Sequence, residues 1–139
     1  MRLGPDLPRR RAQLLIWWVI WAAFLLSLGV TYWGFGFFKL EGNERHASLL
    51  LDLVGFPPLF LSIVIRWLVL PRYRELNRAF PLFITGLALA EACGLLGTFL
   101  GGPYRDDLFL LGMLGITQYV PFFAKGYVEP KPQGFIPNN

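Results

Sequence analysis

One carboxylate interrupts the run ALAEACGLLGTFLGG (88–102), and no other residue in the chain has as much chemistry open to it. Glu91 is the thirteenth residue of a 22-residue apolar stretch, 79–100, that carries no other charge. At the rise of a helix it lies about 18 Å from one end and about 14 Å from the other, beyond the reach of so short a side chain. An ionised carboxylate at the centre of a membrane helix costs about 2.5 kcal/mol or more. Three roles fit such an acid: it accepts a partner's hydrogen bond, it binds a proton or a cation, or bundle packing hides it. Counting inward from residues 101 and 108 puts Gln118 at the same depth in a neighbouring antiparallel helix. Gln118 or Tyr119 could then donate to Glu91 and offset the burial penalty. Asp52 stands one or two turns shallower. It either reaches headgroup water or joins Glu91 and Gln118 in a short polar pathway from the outer side.

No other arrangement of residues suggests a reaction. There is no nucleophile beside a base, no metal-ligand spacing and no phosphate-binding glycine loop, so neither enzymatic activity nor a cofactor is expected. A solitary Cys93 excludes an intrachain disulfide, and a solitary His46, in a polar loop, excludes a multi-histidine metal site. The net charge of +4 comes without an aromatic-basic platform or a recognised motif, which argues against nucleic acid.

These residues must be positioned by helices in lipid. Of 139 residues, 55 % are hydrophobic and only 16 % charged, too few to cover a small soluble globule. A helix needs about 20 apolar residues to cross roughly 30 Å of hydrocarbon. Four stretches meet that need, at about 13–38, 47–70, 79–100 and 108–124. Isolated strands cannot satisfy their backbone in lipid, so the expected fold is an all-α membrane protein. Its architecture is a single four-transmembrane-helix bundle over residues 1–125, with 126–139 as an extended proline-containing C-terminal tail. The first stretch outruns a signal peptide and ends in bulky residues, so it should stay as an anchor.

Lysine and arginine fall unevenly about these stretches. Ten lie in the N-terminal tail, the 66–78 connection and the C-terminal tail, against Lys39, Arg45 and Arg105 on the other side. That bias places both termini in the cytoplasm, and the expected location is a bacterial cytoplasmic (inner) membrane. Trp17, Trp18, Trp67, Tyr73, Phe122 and Tyr127 mark one interface, and Tyr32, Trp33 and Tyr104 the other. Arg66 lies close enough to the cytoplasmic end to snorkel.

Small residues show how the helices should pack. Gly86, Ala90, Cys93, Gly97 and Gly101 draw a stripe along the third stretch, with Gly94 and Glu91 on its flank. Gly112 and Gly115 extend the pattern to the fourth. Such stripes let helix backbones approach closely. They exceed the needs of one small bundle, so part of them is expected to form a seam for other membrane-protein subunits. In GFPPLF, Pro57 and Pro58 should kink the second helix, with Gly55 adding freedom before the bend. An aromatic-rich bundle with such a kink could also hold a bound lipid or quinone between the first and second helices.

The run Ala90-Glu91-Ala92-Cys93-Gly94-Leu95-Leu96-Gly97 resembles the carboxylate helix of the proteolipid subunits of rotary ATPases. In that family the mid-membrane acid binds the translocated proton or sodium ion, so the resemblance implies an ion-binding role for Glu91. It covers eight residues. The second stretch, with Gly55-Phe56-Pro57-Pro58, departs from the glycine-repeat helix that family pairs with the acid. The layout as a whole looks like small uncharacterised four-helix bacterial inner-membrane proteins. The roles expected on these grounds are a structural or accessory subunit of a membrane complex, a proton- or cation-handling component, or a lipid- or quinone-binding bundle.

Overall fold

The computed structural model describes residues 7–37, 53–73, 75–100 and 104–124, and all the elements among them are helical. They are α1 (Leu7–Phe37), α2 (Phe56–Val64), α3 (Leu76–Leu100) and α4 (Arg105–Thr117). α2 continues through a wide π turn, Ile65–Val69, and a 3-10 turn, Leu70–Arg72; a second 3-10 turn, Pro121–Ala124, follows α4. Three segments, Ala12–Phe35, Leu76–Leu100 and Arg105–Ala124, are long and apolar enough to cross a membrane. The α2 segment is shorter among the described residues, and the early part of the expected second span, 47–52, lies outside them.

Proline and glycine set the irregularities. Helix breaks at Val54–Gly55, and Pro57 and Pro58 then occupy the first turn of α2. A missing N–H costs nothing there, because first-turn donors have no intrahelical acceptor. The prolines therefore lie in the first turn of α2, just after the break, and the part of the expected second span before Leu53 lies outside the described residues. Gly55 has ordinary right-handed angles, so freedom is not its use. A Cβ there would meet Leu108 Cδ2 at 3.0 Å. At the other end of the fold, Pro121 offers no N–H to the Thr117 carbonyl and disfavours helical angles at Val120. α4 accordingly stops at Thr117, and Val120 N–H turns back to the Thr117 carbonyl at 3.1 Å.

α3 is the central helix. α4 lies antiparallel along its small residues with hardly a side chain between the two backbones. A Cβ on Gly112 would come within 2.7 Å of the Gly94 backbone, and one on Gly97 within 2.3 Å of Leu108 Cβ. α1 runs parallel to α3 and docks through rings and one leucine. Trp17 stacks on Phe83 at 4.5 Å, and Leu28 fills the space a Gly94 side chain would need. Trp17, Phe83, Leu28, Tyr119 and Ile116 are among the largest fully buried side chains, so the core sits where α1, α3 and the end of α4 meet.

Candidate functional site

The α3–α4 contact keeps one register throughout: Gly97 meets Leu108, Gly94 meets Gly112, Ala90 meets Gly115 and Gly86 meets Tyr119. Following these pairs puts Glu91 level with Leu114, and Gln118 level with Leu87. The two are separated by about one helical turn, roughly 6 Å along the axis. The expected match between Glu91 and Gln118 assumed that residues 101 and 108 lie level. In the fold Leu108 faces Gly97 instead. Rotation separates the residues as well. At 3.6 residues per turn, Glu91 lies about 140° round α3 from Gly86, whereas α4 covers the Gly86–Gly97 line.

Gln118 and Tyr119 belong instead to a polar cluster that joins α2 to the broken end of α4. Arg66 Nε donates to the Gln118 carbonyl at 2.8 Å, and Trp67 Nε1 to Gln118 Oε1 at 3.2 Å. The Arg66 guanidinium lies 4.1 Å over the Phe123 ring and 5.4 Å over Trp67. Tyr119 donates its hydroxyl to the Ser62 carbonyl at 2.5 Å, while Ser62 Oγ donates to the Gly86 carbonyl at 2.8 Å. Trp21 Nε1 donates to the Ile116 carbonyl at 3.0 Å. The Gln118 carbonyl at the end of α4 is thus met by Arg66, a cation that suits the negative pole of a helix end, while Trp21 adds a second donor to the Ile116 carbonyl that Tyr119 N–H already reaches at 3.0 Å. Arg66, expected to snorkel to an interface, is a structural cap. The sequence contains the signal for it, since Pro121 guarantees an unfinished helix end with free carbonyls, but the partner's identity is set by the π turn.

A second clasp closes the opposite end of α1. Tyr32 donates to Asp106 Oδ1 at 2.6 Å and stacks on Phe109 at 3.8 Å. Arg105 holds the Tyr32 carbonyl at 3.4 Å through Nη2, with its guanidinium 5.0 Å from the ring. Tyr32 fastens two helices together, a role beyond the aromatic belt it was assigned.

Glu91 stands apart from both clusters. It is half-buried, and among the described residues no hydrogen bond or ion pair reaches its carboxylate. The glycines it was grouped with are used inside the bundle. Gly86, Ala90, Cys93, Gly94 and Gly97 are buried on α3, as are Gly112 and Gly115 on α4. Gly112 packs on Gly94, and Gly115 on Leu59 and Ala90, so neither is left to form a seam for another subunit. Asp52 and Gly101 lie outside the described residues, as does His46. Among the described residues no group of three or more histidine, cysteine, aspartate or glutamate side chains could hold a metal.

A cleft of about 430 Å³ opens between the start of α1 and the start of α3, lined by Gln13, Ile16, Trp17, Leu76, Asn77 and Phe80. It lies between the first and third long apolar stretches, whereas a cleft was expected between the first and second. Comparison with protein families, curated proteins and solved structures gives no match to this chain.

Proposed function

We propose that this chain is an integral membrane protein acting as a structural or accessory subunit of a larger membrane complex, inserted with both termini in the cytoplasm of a bacterial inner membrane. One observation carries the reading: Glu91, well inside an apolar helix of membrane-spanning length, has no partner of its own among the described residues. On the same helix Thr98 is engaged locally, donating to the Gly94 carbonyl at 2.8 Å. An acid left unpaired in lipid is costly, and intramembrane acids face bundle interiors or functional partners. A neighbouring subunit is the simplest source of the missing contact. Purification in a mild detergent tests this. Stoichiometric companions are expected, and a clean lone monomer from native membranes overturns the reading.

The same observation favours a second reading, in which Glu91 itself takes up a proton or a cation. A hydrophobic carbodiimide attacks protonated carboxyls in lipid and would then label Glu91 near neutral pH. Absence of labelling, together with unchanged behaviour of Glu91→Gln, retires that reading.

A further inference from the structure

Among the described residues no helix covers the flank of α3 that carries Glu91, which leaves a groove there. Around α3, the α2 segment approaches Gly86 and Cys93 through Ser62 and Gly55. α4 follows the Gly86–Gly97 line, and α1 covers Phe83 and Gly94. At about 100° per residue these three helices occupy successive sectors, and Glu91 falls in the next sector beyond α1. α1 repeats the pattern. Trp17 and Leu28 face α3, Trp21 and Tyr32 face α4, and Ile20 and Ser27 lie on the opposite flank. Because Trp17 meets Phe83 and Leu28 meets Gly94, Glu91 is level with Leu25, within a turn of exposed Ser27. The groove therefore runs between α1 and α3 on the side away from α4, and its lower end widens into the cleft at Trp17 and Phe80.

We infer that this groove receives a transmembrane helix of a second, different protein that carries a lysine or arginine at the depth of Glu91. The inference rests on the subunit reading and names its contact face and the partner's chemistry. Charge complementarity selects the occupant, because a carboxylate in apolar surroundings is compensated best by a cation brought to hydrogen-bonding distance. Ser27 and exposed Ala88 on the rims are small, which lets a helix backbone approach closely enough for such a side chain to reach. Among the described residues a second copy of this chain has no arginine placed to supply the cation. Arg66 is held by Gln118 and Arg105 by the Tyr32 clasp, Arg72 and Arg78 lie beyond or at the start of the helices concerned, and Arg9, Arg10 and Arg11 lie at the start of α1. Two copies meeting here would set acid against acid.

Photo-crosslinking in native membranes tests the groove. A photoreactive residue replaces Ser27 or Ala88 on its rims and, as controls, Leu61 or Leu110 on other exposed surfaces. The expected result is an adduct with one different membrane protein from positions 27 and 88. That adduct falls about tenfold or more with Glu91→Gln. The cross-linked segment carries a lysine or arginine, and changing that residue to glutamate restores the adduct with Glu91→Lys. Unchanged helical content and elution of Glu91→Gln exclude misfolding as the cause of the loss. Adducts from Leu61 or Leu110 alone, an adduct indifferent to Glu91, a partner segment without a cation, or an adduct twice the mass of this chain each overturn the inference. If companions co-purify but the rims give no adduct, the groove assignment fails and the subunit reading stands. If nothing co-purifies, the subunit reading fails first.

Discussion

Arg66 and Glu91 are both ionisable side chains set well into apolar helices, and the fold treats them in opposite ways. Arg66 is met by a carbonyl at 2.8 Å and by the faces of two aromatic rings. Glu91 is half-buried, and no described residue pairs with it. The arginine exists because a helix stops early: Pro121 ends α4, the end presents carbonyls, and a cation answers them. No comparable local defect calls for an acid at position 91. A charge that the chain itself neutralises reports on folding, whereas one it leaves uncompensated points to something beyond the chain.

Substitutions can break or sharpen that contrast. The largest effect is expected at the seam that carries both helices. Gly112→Leu must push a side chain into the Gly94 backbone, which cannot yield as a side chain would. A loss of about 3 kcal/mol or more is expected in denaturation from mixed micelles, and near-native stability would show that α3 and α4 are not in this register. Next comes the arginine: Arg66→Met should cost about 2 kcal/mol by stranding the Gln118 carbonyl. In the same assay Glu91→Gln should stay within about 0.5 kcal/mol of the parent. If Glu91→Gln proves the more damaging of the two, the acid has an intrachain role and the contrast collapses.

Tyr119→Phe removes one bond, to the Ser62 carbonyl, and keeps the ring that fills the space over Gly86. Interhelical polar contacts in membranes average about 0.6 kcal/mol, so a small but measurable fall in the unfolding midpoint is expected. The smallest effect is reserved for Gly29, where an added Cβ meets nothing within 4 Å. Gly29→Ala should be neutral or stabilise by up to about 1 kcal/mol through helix propensity. A marked loss there would mean that something else packs against α1.

Much of this architecture can be read directly from the residues. Uninterrupted apolar runs of membrane length announce α1 and α3, and the four- and three-residue spacing of Gly86, Ala90, Cys93 and Gly97 marks the buried face of α3. Side-chain partners are harder. Depth was counted from the ends of the apolar runs, but Gly97 on Leu108 sets the register, and one turn of error is enough to pair the wrong residues. Gly112 and Gly115 announce close packing without saying on which neighbour, and the fold spends them within the bundle. The π turn has no plain sequence mark. It lets Arg66 and Trp67, adjacent in the chain, both reach Gln118. Ser62, which ties α2 to α3, carries no sequence mark that sets it apart in an apolar helix.

The backbone-to-backbone meeting of α3 and α4 has a mechanical consequence. With Gly112 against the Gly94 backbone and Gly115 against Ala90, that helix pair is a stiff chassis with little room to slide. α1 is held by rings and by a clasp near each end, attachments that tolerate tilting. A foreign helix wedged beside Glu91 would therefore lever α1 outward and leave the pair as it stands.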